Sequence, residues 1–179
     1  MRIAFDLGAC VGLKTEKYSK EYGLVVAVEP VIENYTELIK KIIDERLYNV
    51  VPVLGAVDGK TKRGEIFVDE DPIGHSLYKK KRFTKNTQKR PVMVFSWDDL
   101  VRFVGVDHVD FAKVDIEGSE VNMFEEMTKC FPSEVIVEEH SRNGLTTEKD
   151  VRKVLKDKGY DVAKEMPERH MISAKRNGQ

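Results

Sequence analysis

Residues 1–12, MRIAFDLGACVG, constrain this chain more than any other stretch. Ile3, Ala4 and Phe5 form a short apolar run, Asp6 follows, and Gly8 and Gly12 bracket a turn, which predicts a buried strand entering a glycine-rich loop. Glycine suits such a turn because it accepts positive φ and, lacking a Cβ, lets a ligand lie against the main chain. Helix amides opening just beyond Gly12 would add unpaired N–H donors. A second apolar run, LVVAV at residues 24–28, ends in Glu29, twenty-one residues beyond Gly8. An acid at the tip of the second strand of a βαβ unit is placed to grip a ribose diol. Together these point to a nucleoside-bearing cofactor across the carboxyl ends of strands one and two. The plain alternative is that the glycines only end a strand and Glu29 is only solvated; the dinucleotide form GxGxxG is absent.

The rest of the chain repeats the strand and helix alternation. A mixed-charge helix is expected over 14–22, and a second one from Ile32 with Leu38, Ile42 and Ile43 inward. Strand three is VVPVL at 50–54. Residues 64–68 and 92–95 read as short strands, and Ser96 with Asp99 makes a capping pair for a helix containing Trp97, Leu100 and Val101. Strand four is expected over 110–116 and strand five over 134–137, with helices opening at 117–120 and 147. Residues 160–162 and 171–174 read as a closing pair of strands, separated by a polar stretch. Such alternation means an α/β fold with a mostly parallel sheet covered on both faces. All 179 residues fit one domain, interrupted by a basic insertion at about 74–91.

Composition excludes some classes. No stretch approaches twenty apolar residues, so no membrane span is expected. Strand one begins almost at Met1 with no apolar leader, so a cytoplasmic location is expected. Cys10 and Cys130 have neither metal-ligand spacing nor a disulfide pattern, as suits a reducing compartment. The net charge of −1 carries no information about partners, and the oligomeric state stays open. The distribution of charge says more: YKKKRFTKNTQKRP at 78–91 holds seven Lys or Arg residues and no acid. It reads either as a solvated loop or as an electropositive flap in which His75, Ser76, Lys79, Lys80 and Arg82 meet a phosphorylated acceptor or RNA, with Tyr78 and Phe83 for stacking.

Four stretches, DLGACVG at 6–12, AVEP at 27–30, NVVPVLGAV at 49–57 and VDFAKVDIEGSE at 109–120, together resemble the FkbM family of S-adenosylmethionine-dependent methyltransferases. The acids and glycine of the last, in the pattern DxEGxE, are close to a signature for it. The resemblance implies a class I methyltransferase (Rossmann-like) fold, a seven-stranded sheet whose last strand is antiparallel, and O-methylation as the usual chemistry. It also implies that Asp6, Gly8 and Gly12 bound the methionine end of S-adenosylmethionine, Glu29 binds the ribose, Ala56 and Val57 lie along the adenine, and Asp115 stands near the reacting methyl group. Two departures are visible: Cys10 stands where Asn is common, and the upstream segment of many members has no counterpart before strand one.

Methyl transfer from a sulfonium is an in-line displacement, so an alcohol acceptor must be aligned and must lose its proton. Asp115 and His140, at the carboxyl ends of strands four and five, are the expected proton acceptors, His140 because imidazole ordinarily titrates near neutrality. Its plain alternative is a surface histidine. Glu117 is read as a helix cap. Asp115, Glu139 and His140 have the ligand types of a divalent metal site but no compact spacing, so none is read. The expected function is O-methylation of a small molecule, sugar or nucleotide. The alternatives are an RNA ribose methyltransferase using the basic flap, a nicotinamide-dependent oxidoreductase, and a cofactor-binding module without catalysis.

Overall fold

In a computed structural model of the chain, which describes residues 1–69, 74–80, 83–140, 147–163 and 170–176, the first strand is buried along its whole length. β1 (Ile3–Leu7) sends Ile3, Phe5 and Leu7 into one core and Ala4 into another, the period-two split of a strand covered on both faces. The remaining elements, in chain order, are α1 (Leu13–Glu21), β2 (Leu24–Glu29), α2 (Ile32–Asp44), β3 (Val50–Leu54), β4 (Ala56–Val57), β5 (Lys62–Val68), β6 (Gln88–Phe95), α3 (Trp97–Val104), β7 (Phe111–Val114), α4 (Glu120–Glu126), β8 (Glu134–Glu138), α5 (Glu148–Asp157), β9 (Tyr160–Val162) and β10 (Met171–Arg176).

Seven strands form one sheet in the order β3-β2-β1-β7-β8-β10-β9, parallel except for β10, which runs antiparallel to both neighbours. This is the seven-stranded arrangement that the resemblance implies. Between β1 and β7 the connections change direction, the switch point at which open α/β sheets present a crevice. Trp97, Leu100, Met123, Phe124, Val151 and Leu155 from α3, α4 and α5 pack on the Phe5 face, with the Trp97 and Phe5 ring centroids 5.0 Å apart. On the opposite face Tyr18 of α1 and Leu38 of α2 cover Ala4, Val25, Ala27 and Phe111. The capping pair forms as expected: Ser96 Oγ accepts from the Asp99 amide.

A second, three-stranded sheet, β4-β6-β5, departs from the expectation. Gln88, Lys89 and Arg90, read as the end of a basic loop, belong to β6 and pair antiparallel with β5, where Lys89 meets Glu65 at 2.9 Å. Charge alone had suggested a loop, but the partner strand supplies the compensating acid. Among the described residues no helix is long and apolar enough to cross a membrane.

Candidate active site

Geometry at the tip of β1 follows from two glycines. Gly8 (φ 76°) and Gly12 (φ 85°) take the left-handed conformation that lets the chain reverse between β1 and α1. Gly8 also lies so close to β7 that a Cβ there would stand 1.9 Å from the Asp115 carbonyl oxygen. The loop thus seals the gap between β1 and β7, and Gly8, Ala9, Cys10 and Val11 become one wall of a cleft of about 830 Å³. Glu29, Asn34, Ala56 and Val57 line it on the β2 and β3 side, His75, Ser76 and Leu77 line it from the second sheet, and Lys113, Asp115, Glu117 and Glu138 line its polar end.

Glu29 is only 4% exposed, yet it borders the cleft. Its carboxylate accepts from the amides of Cys10 and Val31, both at 2.9 Å, and from the Asn34 side chain. Burial pushes its pKa up, and these three donors push it down. A carboxylate offers about four lone-pair positions, so one stays available to a hydroxyl donor. That prepositioned acid, with Ala56 and Val57 beyond it, fits an adenosyl group. Cys10 contributes its amide to Glu29, which any residue type would do.

Asp6 and Gly12 act from behind the cleft wall and do not line it. Fully buried Asp6 accepts from Thr15 Oγ1 at 2.6 Å, pinning the first turn of α1, while its other oxygen has no hydrogen bond and faces Lys113 Nζ at 3.7 Å. Burial raises its pKa, against the pull of Lys113. Gly12 is the residue from which α1 starts.

The three acids of the DxEGxE motif converge on one histidine. His140 Nδ1 lies 3.0 Å from Glu120, and Nε2 lies 3.4 Å from Asp115 and 3.3 Å from Glu117. Burial by itself would lower the imidazole pKa, but the bonds to Asp115 and Glu120 and the charge of Glu117 outweigh it and raise it to about 10. His140 is therefore an imidazolium with both nitrogens committed as donors. This corrects the expectation of a near-neutral proton acceptor: it has no lone pair to offer, it is buried, and it is not among the residues lining the cleft. Burial would also raise Asp115, yet His140 and Lys113 hold it well below the usual carboxylate range. Asp115 does line the cleft.

Glu117 does not cap α4; Ser119 occupies that position, and Glu117 pairs with Lys80 and His140. Glu139 turns away to His170, so the acid beside Asp115 and His140 is Glu138, with donor atoms of the three within 4.8 Å of one another. Lys80, Lys113 and the His140 imidazolium already balance Asp115, Glu117 and Glu120, so the charges here are satisfied by ammonium and imidazolium groups.

Residues 74–80 form a strap over this end of the site. Ser76 Oγ donates to the Glu117 carbonyl at 2.6 Å, Lys80 Nζ to the Gly74 carbonyl at 2.8 Å, and Tyr78 Oη to Asp58 at 3.1 Å. Lys80, expected to reach for an acceptor, is instead buried with its charge spent on Glu117. His75 and Ser76 do line the cleft; Lys79 is exposed outside it, and Arg82 lies outside the described residues. Tyr78→Phe removes the donor to Asp58 and the acceptor for Asn122 (2.7 Å), and should lower the free energy of unfolding by about 1–2 kcal/mol in urea titration. An unchanged midpoint would mean that the strap is held without it.

Sequence reasoning missed Lys113, a cation in the middle of a buried strand. It bonds Asp115 and the Gly8 carbonyl, each at 2.9 Å, and is paired in register with Asp6. The signal was present: a lysine inside an apolar run such as FAKV must find carboxylates if it is to stay buried.

A family model described as "Methyltransferase FkbM domain" matches residues 6–162. Among solved structures, an FkbM methyltransferase from Methylobacillus flagellatus KT is 18% identical, with a TM-score of 0.59 over 97% of this chain and 43% of that one, so the chain spans less than half its length. A SAM-dependent methyltransferase from Aquifex aeolicus is 16% identical, with a TM-score of 0.55 over 97% of this chain and 80% of that one. Aeropyrum pernix fibrillarin, solved with natively bound S-adenosyl-L-methionine, is 18% identical, with a TM-score of 0.55 over 97% and 65%. No curated protein matches the chain in sequence.

Proposed function

The chain belongs to the FkbM methyltransferase domain family, an S-adenosylmethionine-dependent class, and from that premise we propose that it methylates a hydroxyl oxygen on a small molecule, sugar or nucleotide. The observation that carries this reading is the cleft itself: an acid prepared for a ribose at one end, and at the other a carboxylate-lined mouth at the carboxyl ends of β7 and β8.

When bound, S-adenosylmethionine supplies an electrophilic methyl group on a sulfonium. Glu29 would hold the ribose hydroxyls, Ala56 and Val57 the adenine, and the Gly8 turn the methionine end. Asp115, kept ionised by Lys113 and His140, would hold a carboxylate in a fixed position beside the reacting end. The acceptor enters past His75, Ser76 and Leu77. Line-up of acceptor oxygen, carbon and sulfur is what such a rigid cleft contributes. Two free cysteines accord with a reducing, cytoplasmic setting.

Of the basic run, Lys80, Lys89 and Arg90 are each paired with an acid of this chain, which favours a small acceptor over RNA. Family membership leaves the nicotinamide alternative without support. Tritiated methyl transfer from S-adenosylmethionine to a panel of monosaccharides, nucleosides and hydroxy acids tests the proposal. Product label that survives mild alkali and sits on oxygen by mass spectrometry of the product is the ether expected. Alkali-labile label is an ester, label on nitrogen is an amine, and either overturns it, while label that is never transferred leaves only the binding module.

A further inference from the structure

Glu138 closes β8 on the sheet face that carries Lys113, one step beyond the Val114↔Val137 register pair and therefore beside Asp115. It lines the cleft and is only partly buried. Asp115 is bound by Lys113 and His140, Glu117 by Lys80 and His140, and Glu120 is buried against His140. Among the described residues, by contrast, no side chain donates to Glu138. A proton acceptor needs an open lone pair facing the substrate space, and of the four acids clustered here Glu138 has it.

We propose that Glu138 is the catalytic residue that takes the proton from the acceptor hydroxyl, an inference that rests on the hydroxyl reading above. The acceptor oxygen forms its bond to the methyl carbon as the carbon–sulfur bond breaks and its electron pair goes to sulfur, giving a neutral thioether. The hydroxyl proton passes to the Glu138 carboxylate and then to solvent. Burial and the negative charge of Asp115 raise the Glu138 pKa, which makes it a better base than Asp115. The groups facing it are Asp115 and Lys113 from β7, Glu117 from the loop before α4 and His140 from its own segment; on the β10 side its register partner is the uncharged Met171.

Glu138→Gln should lower kcat about 100-fold or more and abolish the loss of kcat/KM on acidification, while S-adenosylhomocysteine still binds in calorimetry as to the parent. Glu138→Asp should recover part of kcat. A Gln variant that keeps kcat within about threefold on a hydroxyl compound the parent methylates overturns the base role and leaves the hydroxyl reading intact. A parent that binds S-adenosylhomocysteine but methylates no hydroxyl in the panel fails the reading, and the inference falls with it. In ¹³C-glutamate-labelled protein saturated with S-adenosylhomocysteine, Glu138 should titrate above about 4.3, the ordinary glutamate value; titration at or below it also overturns the role.

Discussion

Replacing Lys113 with methionine should cost about 3–5 kcal/mol of stability, a large share of the roughly 5–15 kcal/mol that holds a domain together. Methionine fills the space but leaves Asp6 and Asp115 facing each other across β1 and β7 with no cation between them, and leaves the Gly8 carbonyl without its donor. The expected sign with pH follows from what happens to those acids. Without Lys113 their folded-state pKa values move up, Asp6 most because burial already raises it. A group whose pKa is raised by folding contributes stability below its unfolded pKa and loses it as pH rises through the folded one. The deficit of Lys113→Met, measured by urea denaturation, should therefore be largest near about pH 7 and shrink toward about pH 5. Adding Asp6→Asn should return part of the loss, a coupling that distant sites do not show. Equal deficits at both pH values would mean that lost packing, not exposed charge, explains the effect.

Gly8→Ala should abolish function more completely than its chemistry suggests. The left-handed backbone costs an alanine about 1–2 kcal/mol. Gly105→Ala, at φ 78° with nothing within 4 Å, would incur only that strain. At Gly8 the added methyl stands 1.9 Å from the carbonyl oxygen of Asp115, a backbone atom tied to β1 by the Asp115 amide bond to the Leu7 carbonyl at 3.1 Å. Something must yield by about 1 Å, and the Cys10 amide that orients Glu29 lies on the same loop. Affinity for S-adenosylhomocysteine should fall at least tenfold and turnover about 100-fold, against little change in Gly105→Ala. Similar behaviour of the two variants would remove the close approach as the explanation.

Much of this architecture was legible in the residues because hydrophobic runs and glycines report locally. The runs at 3–5 and 25–28 are buried on both faces, and 134–137 alternates buried with half-buried positions; all three are short and bounded by turns, which is what marks them as strands. Pairing between distant segments does not report locally. The second sheet was hidden because β4 is two residues long and gains its identity from β6, some forty residues later. Lys80 was misread for the same reason: a cation in a basic run is exposed by default, and only the fold brings Glu117 to it. Within the site, the DxEGxE acids were visible as a motif, but their task of enclosing His140 depends on residues 20 or more positions apart. Asp115 and Glu117 could be named from the sequence, but Glu139 was named where the fold places Glu138, because which of two adjacent acids faces the cleft depends on the register of β8.

The proposed donor seat lies between two strands that are neighbours in space and far apart along the chain, for Lys113 reaches Gly8 across 105 residues. During synthesis β1, β2 and β3 can associate early, while the crevice has one bank only. It acquires the second when β7 slots in beside β1, a nonlocal closure that is slow by nature. Ribosome-bound chains ending before residue 110 should thus lack any adenosyl-binding capacity, and S-adenosylmethionine in the cell would select for chains that have completed this late insertion.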